Sequence, residues 1–263
     1  LDLMDLRSKF HNNVSQLSLL VFKFIGISKF IQFVKDSFPC LDILINNAAQ
    51  TIRRPPQFFL HLTHSSSSLP LDPSEQDLLA NDPCPPKRPR LDLALPGESS
   101  SSMTNFFPID CFDEHGQQLD LRPTNSWRAE LADVPTSELL EVLLINTVAP
   151  FILTQQLRPL MLQRPSEQRR FIVNVSAMEG QFNRKSKTKY HPHTNMAKAA
   201  LNMMTRTAAI GFAEEGIFMT AVDTGWVTDE RPYHMAQHEK TAKGFELPLD
   251  CVDGAARVYD PIV

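Results

Sequence analysis

Apolar residues along the chain fall into two patterns: short unbroken runs, and longer stretches where they recur every three or four positions. The runs in CLDILINNAAQ (Cys40–Gln50), RFIVNVSA (Arg170–Ala177) and IFMTAVDTG (Ile217–Gly225) are rich in β-branched residues and bounded by polar or small ones. That is the texture of strands buried on both faces. Ser137 to Leu160 has helical periodicity, with Pro150 expected to kink it and Pro159 near its end. Asn195 to Glu215 reads as a long helix with Ala197, Leu201, Met204 and Ala208 on one face, stopped by Gly216. Strand and helix in alternation predict a parallel sheet with helices on its faces.

Residues 55–135 break this rhythm. Nine of the 20 prolines lie between Pro55 and Pro96, and serine runs fill Ser65–Ser68 and Ser99–Ser102. Such a segment buries too little apolar surface to offset its ordering entropy. It is expected to be a largely disordered insertion, nicked first by proteases within residues 60–110. The chain therefore divides into residues 1–54, the insertion at 55–135, and residues 136–263. Within the first part the triplet SKF occurs at Ser8–Phe10 and again at Ser28–Phe30. Removing residues 8–27 leaves a clean strand end, amphipathic helix and strand. A translated intron and an ordinary helix extension with a chance repeat both account for it.

Composition narrows the classes of function. A chain of 263 residues, 42% hydrophobic and 21% charged, is long enough and apolar enough to bury a core. A net charge of −4 gives no footing for nucleic acid. The cysteines (Cys40, Cys84, Cys111, Cys251) are far apart without a CxxC pair, which points to neither a zinc site nor a disulfide framework. Reduced thiols fit a cytoplasmic location. PPKRPR (Pro85–Arg90) resembles a short nuclear-import signal, against the alternative of a solvated charge run. His234 and His238 have helical spacing but lack the glutamate of a zinc hydrolase, and His61 and His64 have no ligand partner nearby, so no metal is expected. The most apolar stretch, Leu17–Val34, is interrupted by Lys23 and Lys29, so no membrane span is expected there. Leu1 rather than a methionine opens the sequence, and the true N-terminus is expected upstream.

Five pieces then occur in a telling order: LINNAA (Leu44–Ala49), LLINTVAPF (Leu143–Phe151), IVNVSAMEG (Ile172–Gly180), TNMAKAAL (Thr194–Leu201) and AVDTGWVTDE (Ala221–Glu230). In this order they resemble the short-chain dehydrogenase/reductase family, over residues 1–54 and about 136–263. The resemblance implies a Rossmann-type doubly wound α/β sheet, a bound NAD or NADP, and hydride transfer between the nicotinamide and a small carbonyl or alcohol substrate. It implies that Asn46, Asn47 and Ala48 line the cofactor ribose, with Ala49 in place of the usual glycine. Asn146 matches the asparagine of the proton relay, and Lys198 the lysine that binds the nicotinamide ribose. Asp2 matches the aspartate at the adenine. Thr224, Gly225 and Thr228 match the loop beside the nicotinamide amide, with threonine replacing proline.

Two departures matter. Ser176 is a candidate catalytic residue, but the next residue, where the family usually carries its serine, is Ala177; the tyrosine position, four before Lys198, is Thr194. An aliphatic hydroxyl is far too weak an acid to replace a phenol, and Thr194 is expected to be the helix N-cap instead. Tyr190, His191 and His193 lie just before the helix, with Pro192 expected to keep their approach extended. Tyr190 or His191 is the candidate proton donor, histidine being the natural titrating group; exposed loop residues are the alternative. Second, no two of the nine glycines lie closer than Gly211 and Gly216. No glycine-rich turn is present to bring backbone N–H groups against a pyrophosphate. The expected fold is thus a Rossmann-type sheet lacking its first strands, and the chain as it stands is expected to bind NAD(P)H poorly. A non-catalytic binding or regulatory protein, or an incomplete gene product, is the competing reading. The expected partners are a small molecule and, left open, a second copy of the chain; nucleic acid and membrane are not expected.

Overall fold

The computed structural model describes residues 25–59, 104–113, 116–165, 168–183, 185 and 187–263. Asp2, most of the segment bounded by the repeated triplets, and residues 60–103 with His61, His64 and Pro85–Arg90 lie outside the described residues.

Three strands, Ile43–Asn46 (β1), Arg170–Ser176 (β2) and Ile217–Asp223 (β3), form a parallel sheet in the order β1-β2-β3. The register sets Asn46 beside Asn174, and Ser176 beside Asp223. The helices are residues 25–37 (α1), Thr136–Leu143 (α2), Ala149–Met161 (α3), Pro192–Glu214 (α4), Tyr233–Lys243 (α5) and Cys251–Tyr259 (α6). This is the α/β alternation that the apolar pattern predicts.

The described residues divide into two compact units, the first comprising those within 25–51, 130–228 and 247–263. Its core has two parts. Ile31 and Val34 of α1 pack on Leu157 and Leu160 of α3, with Leu44 of β1 against them. Met161, Ile172, Ile217 and Met219 form the second, closed by Ala208, Ala209 and Phe212 of α4. Arg170, at the start of β2, is 2% exposed, and its guanidinium donates to the carbonyls of Met161 (3.3 Å) and Glu215 (2.8 Å). It thereby satisfies helix-terminal carbonyls of α3 and α4 with a positive charge, the sign the C-terminal end of a helix dipole favours. On the opposite face of the sheet Val173 and Val175 are buried, whereas Ile43, Ile45 and Phe218 remain 39%, 43% and 41% exposed.

Local detail departs from expectation at two places. The predicted kink at Pro150 takes the form of a π-helical turn, Leu144–Val148, between α2 and α3. Proline has no N–H to give the carbonyl four residues back, that of Asn146, so the turn widens there. The continuous run Thr136–Met161 has the length and hydropathy to cross a membrane, yet its Leu157, Leu160 and Met161 are spent on the sheet core. The second departure is the start of α4. The helix begins at Pro192, and its N-cap is His191 in the left-handed region (φ 43°, ψ 48°). Thr194 is therefore not the N-cap; its hydroxyl donates to the His191 carbonyl at 2.9 Å. The approach through His191 is not extended, because the ring is drawn inward to 6% exposure.

The second unit comprises the described residues within 52–129 and 229–246. Phe58 meets Phe59 and Phe107 edge-on, with centroids 5.0 and 5.9 Å apart. The guanidiniums of Arg54 and Arg122 converge on Asp120. Burial alone would raise the Asp120 carboxyl, but the hydrogen bond and charge of Arg122 and the charge of Arg54 hold it below the usual range. The Ser126 hydroxyl accepts from the Arg53 backbone N–H at 2.9 Å, and the Asn125 amide donates to the Glu230 carbonyl at 3.0 Å. Residues 104–113 and 116–135 thus carry packed structure inside the region expected to be an insertion.

Candidate active site

The carboxyl ends of β1 and β2 converge with the first turns of α4 on a set of amides and one amine. Asn46 is the last residue of β1. Its amide donates to the Asn174 side-chain oxygen at 2.8 Å, and the Asn174 amide donates to Thr205 Oγ1 on α4 at 2.9 Å. All three residues are buried, so a polar chain crosses the sheet from β1 through β2 to α4. Asn46 Oδ1 is itself buried without a protein partner. Asn47, Ala48 and Ala49 follow at the surface.

Asn146 sits in the π-helical turn, 1% exposed. Its Oδ1 accepts from the Gln50 backbone N–H at 2.7 Å and its Nδ2 donates to the Gln50 carbonyl at 2.9 Å. The two bonds clamp the loop that leaves β1. Gln50 Nε2 is buried without a protein partner, like Asn46 Oδ1. A widened helical turn that aims a side chain is a recurrent feature of functional sites.

Lys198 lies in α4, 8% exposed, and its Nζ donates to the Val175 carbonyl at 2.7 Å. Burial pulls its ammonium down to about 8. Ser176 points toward the same helix, its hydroxyl donating to Asn202 Oδ1. Gly180 touches α4 so closely that a Cβ there would stand 2.7 Å from the Lys198 carbonyl carbon and 2.8 Å from the Ala199 nitrogen. The glycine is needed for that approach. Thr228 is half-buried, and Thr224 precedes Gly225, whose φ of 78° requires glycine. Tyr190 is half-buried with the Lys189 ammonium 5.6 Å from its ring centre. Next to it His191 is the more deeply buried, with Nδ1 3.1 Å from Asn195 Oδ1 and 3.3 Å from Thr194 Oγ1. His193 is 1% exposed, with Nε2 3.5 Å from Glu138 Oε1 of α2.

Sequence reasoning therefore selected Asn46, Asn146, Ser176 and Lys198, which this structure brings to one end of the sheet. It missed Asn174, Thr205, Gln50 and Gly180. An amide in the middle of the apolar run FIVNV was the available signal for Asn174, since buried amides need partners. Gln50 and Gly180 carry no signal of their own. Among the described residues no group of three or more His, Cys, Asp or Glu could hold a metal ion.

Residues 123–247 match the family profile described as enoyl-(acyl carrier protein) reductase. Together with the five motifs in order, this match supports the resemblance to the short-chain dehydrogenase/reductase family and a Rossmann-type fold. The chain is 33% identical over 162 residues to the uncharacterized protein R665 of Acanthamoeba polyphaga mimivirus, an alignment that takes in 59% of this chain and 33% of that one. It thus spans about a third of that relative. Two solved structures are similar in part. One is an NADPH-bound carbonyl reductase from chicken fatty liver (27% identity, 42% of this chain and 45% of that one, TM-score 0.36). The other is a short-chain dehydrogenase from Streptomyces avermitilis (17% identity, 88% and 60%, TM-score 0.47).

Proposed function

We propose that the full-length protein is an NAD(P)-dependent oxidoreductase that interconverts a small carbonyl compound and its alcohol. The observation that carries this reading is the convergence at the carboxyl ends of β1 and β2, where open α/β sheets bind their ligands. There Asn46 Oδ1 and Gln50 Nε2 are buried polar atoms that lack a protein partner, one acceptor and one donor. Orphaned groups of this kind fit a ligand rich in hydroxyls and amides, such as a nicotinamide riboside. Lys198 supplies an amine at the end of β2, fixed by the Val175 carbonyl.

In this reading Asn46 and Lys198 hold the cofactor's ribose, Asn47 and Ala48 flank it, and Thr228 borders the nicotinamide amide. Asn146 keeps the loop at Gln50 in place. A bound nicotinamide supplies or accepts hydride; the chain's own residues orient it and handle the proton. Ser176 is turned toward Asn202, so its contribution is to seat β2 on α4. The test is a fluorescence titration of the full-length protein with NADPH and with NADH, followed by turnover on a panel of aldehydes and ketones. Saturable binding weakened by Lys198→Ala supports the reading. Absence of binding of both cofactors to the full-length protein overturns it.

A further inference from the structure

The proton donor is the part of the site that the residues at the familiar positions leave unfilled. Thr194 stands one helical turn before Lys198, and its hydroxyl proton is given to the His191 carbonyl at 2.9 Å. A hydroxyl whose proton is so placed presents lone pairs elsewhere. His191 Nδ1 is 3.3 Å from that oxygen and 3.1 Å from Asn195 Oδ1, a second acceptor. Both oxygens can accept, which fits the tautomer in which Nδ1 carries a proton and directs it at Thr194 and Asn195.

The backbone is shaped around this contact. His191 is one of two non-glycine residues with positive φ among the described residues, and a proline follows it. The residue before a proline normally avoids helical conformations, and a left-handed non-glycine residue is strained. The strain has a definite result, which is to bury the imidazole beside the first turn of α4 at 6% exposure. The charged or titratable groups acting on the His191 ring are Glu179, from the turn Met178–Gly180, and His193 on α4 itself.

We propose that Thr194 and His191 form a proton relay, in which the Thr194 hydroxyl gives its proton to the substrate oxygen and His191, as imidazolium, replaces it from Nδ1. This rests on the oxidoreductase reading above. The balance is complete: the carbonyl carbon gains hydride supplied by a reduced nicotinamide, and the carbonyl oxygen gains the Thr194 proton as that hydroxyl turns from the His191 carbonyl. The Nδ1–H bond breaks as the Thr194 O–H bond re-forms, leaving a neutral imidazole that regains its proton from water. Alcohol oxidation runs the same steps in reverse and needs the imidazole neutral. Threonine does not act as a strong acid here; it conducts a proton that histidine owns. Burial holds the imidazolium below its ordinary range, opposed by the charge of Glu179 and the contact with Asn195. Carbonyl reduction is therefore expected to rise as pH falls toward that value, and alcohol oxidation to rise with pH.

Two measurements test the relay. Histidine ring 15N–1H spectra of this chain should report the Nδ1–H tautomer for His191. Thr194→Val should shift that ring's titration by roughly half a pH unit or more while leaving His234 and His238 unmoved. In the full-length protein with NADPH or NADH and an aldehyde or ketone, His191→Gln should lower reduction on the order of a hundredfold and erase its acid limb, and Thr194→Ser should retain both. A ring that ignores Thr194→Val overturns the relay even where turnover is found. Loss of reduction on Tyr190→Phe with His191→Gln silent also overturns it. If the ring responds but no carbonyl compound is turned over, the oxidoreductase reading fails and takes the relay with it.

Discussion

Lys198 and Val175 are joined by a 2.7 Å hydrogen bond from amine to carbonyl, which ties the second turn of α4 to the end of β2. An amine held this way is positioned without help from any acidic side chain. We expect Lys198→Ala to weaken nicotinamide binding to the full-length protein by about tenfold or more, roughly 1.4 kcal/mol at least. Isothermal titration of wild type and variant is the measurement; equal affinities would remove Lys198 from the site.

The same lysine sets a pH dependence of stability. Its value falls from 10.5 to about 8 because burial disfavours the ammonium. The unfolded chain then holds the proton over a range where the folded one has released it, so stability rises with pH. The penalty is fully present below about 8 and is relieved between about 8 and 10.5. Its upper size is on the order of 3 kcal/mol. Lys198→Met should flatten this rise in urea-denaturation curves taken across that range, and an unchanged slope would contradict it.

Asp120 shows the opposite sign. Arg122 and Arg54 hold its carboxyl below the usual range, against the effect of burial. Its contribution is therefore present above the unfolded-state value and is lost as pH falls through the folded one. Asp120→Asn should cost about 1–3 kcal/mol at neutral pH, and less as pH falls. Acid titration of Trp127 fluorescence, a reporter in the same unit, follows this directly.

Thr205 closes the polar chain that begins at Asn46, accepting from the Asn174 amide at 2.9 Å while donating to the Leu201 carbonyl at 3.0 Å. Thr205→Val keeps the shape and orphans a buried amide. A loss of about 1–3 kcal/mol in denaturant unfolding is expected, whereas Thr205→Ser should stay close to wild type.

At Gly180 a methyl group would stand 2.7 Å from backbone of α4 and 2.9 Å from the Asn202 amide. Helix backbone cannot yield as a flexible side chain can. Gly180→Ala should therefore push α4 off the turn, costing about 1–3 kcal/mol and weakening nicotinamide binding through Lys198. Retained stability and affinity together would show that the contact is loose in solution.

The strands were legible because β2 and β3 are made of apolar and β-branched residues between polar boundaries, a signal local to the chain. The ends of α4 were legible unequally. Gly216 announces the stop and takes φ 72°, whereas the start hides behind a histidine whose conformation contradicts the preference of a residue before proline. Asn46, Asn146 and Lys198 were found by motif order. Their partners were not, because Asn174, Thr205 and Gln50 are chosen by register and packing between segments 31 to 128 residues apart. The packing of Asp120 was hidden for the same reason: proline and serine density describes an average over residues 55–135, not the two arginines that fix one carboxylate.

The exposure of Ile43 and Ile45 has a consequence for handling the protein. They lie on β1, an edge strand of the sheet among the described residues, at 39% and 43% exposure. A bare strand edge with greasy side chains is a template on which another strand can dock. The concentration the protein tolerates thus depends on Ile43 and Ile45, whose side chains are exposed among the described residues. Ile45→Lys is expected to raise it.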